Sequence, residues 1–183
     1  MQTVQLTLLC HAWTNAQRTG HFGRDDDEIL SGLEKLPKTF QPVLCAPERR
    51  ARQTAAWVTD AFEIDPLLRD VNLGRWQGLS LKQVQRDEPQ ALAQWMSDPD
   101  SVVHGGESIG HLCQRVACWL QACSVVPGDR LAVTHPFVIR AALMQVLGST
   151  PASLQCMDVL PCASVHLAYT GRWRLRLLQN ASL

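Results

Sequence analysis

Short apolar runs of the β-strand type alternate along this chain with longer stretches of helical periodicity. Such alternation is typical of α/β domains, in which helices pack against a single sheet. Three of the runs predict strands, at Val4–Cys10, Pro42–Cys45 and Arg130–Thr134. Between and beyond them, the sequence predicts helices at Ile29–Leu36, Pro47 to about Phe62, Ser80–Arg86, Pro89–Met96, Glu107–Val126 and Phe137–Leu147.

The end of the chain adds further predicted strands. One lies near Leu154–Val159, and two more, Ala163–Tyr169 and Arg172–Leu178, are joined by a turn at Thr170-Gly171. Two strand-like runs separated by so short a turn predict an antiparallel hairpin. The sequence therefore predicts an α/β fold, a three-layer α/β/α sandwich with a mostly parallel sheet and an antiparallel edge hairpin. A single domain over residues 1–183 is expected.

The charge balance argues against several classes of partner. The 183 residues include 17 Lys and Arg and 17 Asp and Glu, so no overall basic field attracts nucleic acid or an anionic membrane. No apolar run approaches the roughly 20 residues of a membrane-spanning helix, and the amino terminus lacks a basic leader. We therefore predict a cytoplasmic protein with no membrane and no nucleic-acid partner. The sequence leaves the oligomeric state open.

The spacing of cysteines and histidines argues against metal and disulfide chemistry. None of the 7 cysteines forms a Cys-x-x-Cys pair, and the 6 histidines lack the spacing of metal ligands. Free thiols in a reducing compartment are expected. No glycine-rich nucleotide-binding motif is present. The sequence therefore predicts neither a metal nor another cofactor.

Residues that suit phosphate chemistry follow each of the first three predicted strands. His11 follows the first strand, Arg49, Arg50 and Arg52 follow the second, and His135 follows the third. Ligands of open α/β sheets bind beyond the carboxyl ends of the strands. Arginines in the first turn of a helix oppose the helix dipole unless an anion neutralises them. The sequence thus predicts a phosphate site that uses one of the three arginines, with the other two at the surface.

Five segments, in the right order, resemble motifs of the histidine phosphatase superfamily, in its phosphoglycerate-mutase-like branch. They are Cys10-His11-Ala12, Arg50–Ala55, Asp70 with Gly74–Gly78, Gly105–Ser108, and Thr134–Arg140. The resemblance implies hydrolysis of a small phosphomonoester through a phosphohistidine intermediate, without metal. It extends over most of the chain.

The resemblance also implies a role for each matching residue. His11 would attack phosphorus, Arg50 would hold the phosphoryl oxygens, and His135 would stabilise the transferring group. Asp70 stands where the family carries a glutamate that protonates the leaving oxygen. An ordinary aspartate has a pKa of about 3.9, so this role needs the like charge of a bound phosphate to raise it. Gln17 stands where the family has a substrate-facing asparagine.

The opening motif departs from the family pattern. Cys10 replaces the first arginine of Arg-His-Gly, and Ala12 replaces the glycine. A charged hydrogen bond contributes about 1.5–3 kcal/mol, so its loss would cost about 10–150-fold in rate or affinity. Arg18 is the first candidate to supply the missing charge because it is nearer in sequence, and Arg24 is the second.

Two further functions stay open. The loss of the arginine at Cys10 is compatible with a catalytically weak relative that binds a phosphorylated ligand or acts in regulation. Gly106–Gly110 matches the Gly-x-Ser-x-Gly motif of serine hydrolases, with Ser108 as the nucleophile. That motif needs a buried strand before the serine, and residues 98–105 are a poor strand sequence. Ser108 is expected instead to cap the following helix.

Overall fold

The computed structural model describes residues 3–31, 37–38 and 42–177. Within these ranges the strands are β1 Val4–Cys10, β2 Val43–Cys45, β3 Glu63–Ile64, β4 Gly128–Thr134, β5 Ser164–Tyr169 and β6 Trp173–Arg176. The α-helices are α1 Asn15–Arg18, α2 Arg49–Val58, α3 Leu81–Asp87, α4 Pro89–Ser97, α5 Ile109–Ser124 and α6 Pro136–Leu147. Short 3-10 helices lie at Pro66–Leu68, Gly74–Trp76 and Pro151–Cys156.

The strands form one sheet that is parallel over most of its width and antiparallel at one edge. Its order is β3-β2-β4-β1-β5-β6. β1 runs parallel to β4, whereas β5 runs antiparallel to β1 and forms a hairpin with β6. The predicted α/β architecture, with its mostly parallel sheet and antiparallel edge hairpin, is confirmed.

The register of the central strands brings their carboxyl ends to one edge of the sheet. Cys10 at the end of β1 lies opposite Thr134 at the end of β4, and Cys45 at the end of β2 lies opposite Val133. Both central strands are buried at these ends, so they form a rigid platform. The segments that follow β1, β2 and β4 therefore begin side by side.

The second helix is shorter than predicted. α2 ends at Val58, not near Phe62, and Thr59 already has an extended backbone with φ −155° and ψ 157°. The Thr59 hydroxyl donates to the carbonyl of Ala61 and accepts from the amide of Ala61. Threonine side chains of this kind offer the backbone an alternative to the helix, which explains the early end. The two-residue strand β3 that follows was too short to be predicted.

The prediction of a strand near Leu154–Val159 is wrong. The chain forms a 3-10 helix at Pro151–Cys156 instead, with Pro151 in its first turn and the amide of Ser153 donating to the carbonyl of Thr150. Proline has a fixed φ that suits a helical start and cannot donate to a sheet, so it shifts this segment toward a helical turn.

The helix predicted at Ile29–Leu36 lies largely outside the described residues. Its first residues are not helical, because Ile29 forms an isolated β-bridge with Thr14 and the amide of Leu30 donates to the carbonyl of Trp13. Residues 32–36 belong to the part of the chain that the structure does not describe. In the described ranges, no helix combines the length and the apolar character needed to cross a membrane.

Candidate active site

Four residues that the family resemblance marks as catalytic meet at the carboxyl edge of the sheet. The ring centroids of His11 and His135 are 5.1 Å apart. The Asp70 carboxylate lies 2.7 Å from the Arg50 guanidinium and 3.5 Å from Nδ1 of His135. His11 follows β1, Arg50 lies in the first turn of α2, and His135 lies just before α6. The structure thus brings together residues that are far apart in sequence.

The His11 side chain is buried and held in one orientation. It is 2% exposed, and its Nδ1 lies 2.8 Å from the carbonyl oxygen of Ala12. Because a carbonyl only accepts, Nδ1 carries the proton and Nε2 keeps a free lone pair. Burial, together with the positive charges of His135 and Arg50, lowers the pKa of His11 to about 3. The ring is therefore neutral near pH 7, as a nucleophile requires.

This burial of His11 should make the fold sensitive to acid. The pKa of His11 is about 3 in the folded protein and 6.5 ordinarily, so between these values only the unfolded chain gains a proton there. Stability then falls as the pH falls through this window, by up to about 1.4 kcal/mol per pH unit. Between about pH 6.5 and about pH 5, the free energy of unfolding in urea should fall by about 2 kcal/mol more for the native protein than for His11→Asn. His111→Asn, at an exposed position on α5, is the control. Equal losses in the native protein and His11→Asn would contradict this reading.

Arg50 and Asp70 form a largely buried ion pair in the centre of the site. The Arg50 side chain is 4% exposed and the Asp70 side chain is 22% exposed. Arg50 also donates to the carbonyl oxygen of Arg24, at 2.5 Å. Burial on its own raises the pKa of Asp70, but the charges of His135 and Arg50 outweigh it and hold that pKa below its usual range. The carboxylate of Asp70 is thus an internal anion on the guanidinium that would bind phosphate.

Glu48 is a site residue that the sequence reasoning missed. Its Oε2 lies 2.7 Å from Nε2 of His135, and its Oε1 accepts the amide of Asp70 at 3.0 Å. Desolvation raises the pKa of Glu48, but the hydrogen bond and charge of His135 lower it further than burial raises it. The place of Glu48 directly before an arginine cluster, after a strand end, was the available signal.

The three arginines of the cluster differ in burial. Arg50 is buried and points into the site, whereas Arg49 and Arg52 are exposed. Arg49 pairs with Glu28 at the surface. The helical periodicity of α2 explains this division, because neighbouring positions on a helix face different directions.

Gln17 and Arg18 do not reach the site. The Gln17 side chain accepts the amide of Thr14 in a capping box that begins α1. Arg18 is exposed, and its guanidinium donates to Oδ1 of Asn15 at 3.0 Å. Arg24 contributes its backbone carbonyl, through the hydrogen bond from Arg50 described above, and its side chain packs against Gly78. No arginine of this segment stands in for the residue missing at Cys10.

The thiol of Cys10 supplies no charge. It is fully buried at the end of β1, and desolvation raises its pKa to about 12, with the nearby Asp70 and Cys162 acting in the same direction. The thiol is therefore neutral near pH 7. It neither attracts a phosphate as a guanidinium would nor repels it as a thiolate would.

A small polar cavity of about 200 Å³ opens above the Arg50–Asp70 pair. Glu48, Asn72 and Gln77 also line it, but the two histidines do not. His135 is 0% exposed and His11 is 2% exposed. In this conformation the cavity therefore opens onto Arg50 and Asp70 and not onto either histidine.

Two glycine turns fix the loop that carries Asp70. A Cβ on Gly106 would overlap the carbonyl of Asn72, and a Cβ on Gly74 would overlap the carbonyl of His104. The backbones are joined by hydrogen bonds from Arg75 to His104, at 3.0 Å, and from Glu107 to Asn72, at 2.6 Å. The two glycine-containing family motifs thus meet each other, and this contact holds the Asp70 loop over the sheet.

Ser108 caps a helix, as expected. It is 1% exposed, and its hydroxyl accepts the amide of His111 at the start of α5. Residues 98–108, all within the described part of the chain, form turns and no strand. The strand-turn-helix that a serine-hydrolase nucleophile needs is therefore missing here. The serine-hydrolase alternative is not supported by this geometry.

Among residues 3–31, 37–38 and 42–177, no group of three or more His, Cys, Asp or Glu side chains is arranged to hold a metal ion. In the same ranges the 7 cysteines are all free. The charged side chains that line the polar cavity are those of Asp25, Glu48, Arg50, Arg69 and Asp70.

Comparison with known proteins fits this arrangement. The family model described as histidine phosphatase superfamily (branch 1) matches residues 6–181. The chain belongs to the histidine phosphatase superfamily. The resemblance read from the five sequence segments is confirmed at the level of the family.

Among curated relatives of this superfamily member, glucosyl-3-phosphoglycerate phosphatase of Mycobacterium tuberculosis is 38% identical over 123 residues. That match covers 59% of this chain and 55% of the relative, so the chain matches little more than half of it. Phosphoserine phosphatase 1 of Hydrogenobacter thermophilus is 24% identical, over 79% of this chain and 77% of the relative. The solved structure of alpha-ribazole phosphatase from Shigella flexneri has the same fold, with a TM-score of 0.81 at 21% identity, covering 95% of each chain.

Proposed function

We propose that this chain hydrolyses a small phosphomonoester by moving the phosphoryl group first to Nε2 of His11 and then to water. The observation that carries the proposal is the state of His11, whose ring is neutral and held through Nδ1 by the Ala12 carbonyl. A neutral imidazole with a free, oriented lone pair is a competent nucleophile. The P–O bond to the alcohol breaks as the N–P bond forms, and water later releases phosphate and restores His11.

Arg50 and His135 supply the positive charge that this transfer needs. Arg50 would release the Asp70 carboxylate and bind the phosphoryl oxygens in its place. Nδ1 of His135 faces the same carboxylate oxygen of Asp70, so it would face the phosphoryl group as well. Glu48 is proposed as a positioning residue, because its hydrogen bond to Nε2 fixes the orientation of the His135 ring.

Asp70 is proposed to protonate the leaving oxygen. In the resting site its pKa is held low by His135 and Arg50, against the effect of burial, so it holds no proton to give. When a phosphate dianion takes Arg50, the like charge raises the carboxyl pKa and makes proton uptake favourable. The same carboxylate would then face the leaving group from the cavity side.

The relatives support a phosphatase but leave the substrate open. The names of the curated relatives describe phosphatases that act on glucosyl-3-phosphoglycerate and on phosphoserine. We infer that residues 1–183 work as one catalytic domain, without metal, in the cytoplasm and without a nucleic-acid partner. The zero net charge supports the last point.

Turnover of p-nitrophenyl phosphate in the presence of EDTA tests this proposal. The protein should release p-nitrophenol and carry an acid-labile, base-stable phosphoryl group during turnover. Full loss of activity with EDTA, restored by added zinc or magnesium, would overturn the metal-independent mechanism.

A second candidate function rests on Cys10. A neutral buried thiol replaces the guanidinium of the family motif, and Asp70 already occupies Arg50. Both features reduce the positive charge that would stabilise a transferring phosphoryl group. In this candidate function the chain binds a phosphorylated ligand or protein with little or no turnover. Binding of phosphate or vanadate without measurable hydrolysis would favour this candidate.

The variant Cys10→Arg tests whether the missing charge at position 10 limits turnover. If the site only lacks a charge, kcat/KM for p-nitrophenyl phosphate should rise about 10- to 100-fold, the value of one charged hydrogen bond. Arg18→Ala should change kcat/KM by less than about twofold, because Arg18 is exposed and pairs with Asn15. Cys10→Met is the control for size without charge. A large defect in Arg18→Ala that Cys10→Arg repairs would show that Arg18 replaces the family arginine.

A further inference from the structure

A second cavity, of about 540 Å³, lies between helices α4, α5 and α6 and the 3-10 helix at Pro151–Cys156. It shares no lining residue with the polar cavity above Arg50 and Asp70. Its walls are mainly apolar, with Leu92, Trp95, Ile109 and Phe137 among the lining side chains. Pockets of this size and character hold small organic ligands.

Arg140 is the charged residue on this apolar wall. Its guanidinium carbon lies 5.5 Å from the centroid of the Phe137 ring, a cation–π contact that fixes the side chain. Within the described residues, Nε of Arg140 is buried without a hydrogen-bond partner. Among the residues that the structure describes, no acidic side chain lines the cavity. A buried Nε–H group without an acceptor is costly, and the positive charge of the guanidinium favours an anion that enters the cavity.

The rest of the wall suits an apolar body attached to that anion. The indole of Trp95 lines the cavity and packs edge-on against Phe137, with ring centroids 6.2 Å apart. Met96 on the wall is 51% exposed and Leu81 is 48% exposed. Such exposed apolar side chains at the opening offer an acyl chain or aromatic ring a path from solvent to Arg140.

We propose that this cavity binds an amphipathic carboxylate, with the carboxylate on the Arg140 guanidinium and the apolar body against Trp95 and Leu92. A guanidinium accepts a carboxylate through two parallel hydrogen bonds, which gives the site its selectivity for the anion. The proposal does not depend on hydrolysis at His11, because the two cavities have separate walls.

Isothermal titration with octanoate and with octanol tests the proposal on the full chain. Octanoate should bind at least about tenfold more tightly than octanol, because only the carboxylate meets Arg140. Arg140→Met keeps an apolar side chain against Phe137 and should weaken octanoate at least about tenfold while leaving octanol unchanged. Arg86→Met, an exposed arginine of α3 that pairs with Asp87, is the matched control and should change neither.

A second variant guards against a general loss of structure in Arg140→Met. Ala152 is exposed and lines the cavity, so Ala152→Trp fills the space without disturbing the core. It should weaken both octanoate and octanol. Equal binding of octanoate and octanol by the native protein, or octanoate binding that survives both variants, would overturn the proposal.

Discussion

His11→Ala is expected to lower kcat/KM on a small phosphomonoester by roughly three orders of magnitude or more and to abolish the phosphoryl label on the protein. The variant removes the atom that forms the N–P bond, and the nitrogens of the other site imidazole, His135, face the carboxylates of Glu48 and Asp70. The measurement is p-nitrophenyl phosphate turnover together with acid-quench detection of the labelled protein.

His111→Ala is the matched control for His11→Ala. It removes an exposed histidine on α5 and should leave both the turnover and the label unchanged. If His11→Ala kept its activity, the hydrolytic proposal would fail, and any turnover would have to arise elsewhere in the molecule.

Arg50→Met should cost about two to three orders of magnitude in kcat/KM and also destabilise the fold. The catalytic loss follows from removing the guanidinium that binds the transferring group. The stability loss follows because the Asp70 carboxylate, 2.7 Å from Arg50, would keep its charge without that partner. Breaking a fully buried pair costs about 3–5 kcal/mol, and the partial exposure of Asp70 should reduce this value. Urea unfolding and steady-state kinetics measure the two effects separately.

The double variant Arg50→Met/Asp70→Asn distinguishes these two effects. Replacing Asp70 with a neutral amide removes the unpaired charge, so the double variant should regain most of the lost stability. It should not regain activity, since the guanidinium that would bind the phosphoryl group is still missing. Recovery of turnover in the double variant would show that Arg50 acts only by neutralising Asp70.

Much of the fold could be predicted because its signals are local. The strands that became β1 and β4 are apolar runs, and α5 and α6 show clear helical periodicity with Pro136 and Gly148 at the ends of α6. The wrong strand near Leu154–Val159 came from a short apolar segment whose outcome was decided by Pro151 before it. Such short runs do not distinguish strand from helix by pattern alone.

The site was predictable where the sequence places residues directly after strands. His11, Arg50 and His135 follow this rule, and the structure brings them together. Glu48 could not be assigned because its partner, His135, is distant in sequence and only the parallel pairing of β2 with β4 makes them neighbours. Arg18 was chosen because it is near Cys10 in sequence, but its side chain does not reach the site.

The ion pair between Arg50 and Asp70 bears on how a product would leave this site. A phosphate that binds Arg50 must displace a carboxylate of the protein itself, so part of its binding free energy is offset by the broken pair. On departure, Asp70 returns to the guanidinium and the exchange runs in reverse. Because Asp70 competes with phosphate for Arg50, the site would bind inorganic phosphate weakly and release it fast. In the proposed hydrolysis, this exchange would limit inhibition by the inorganic phosphate that is released.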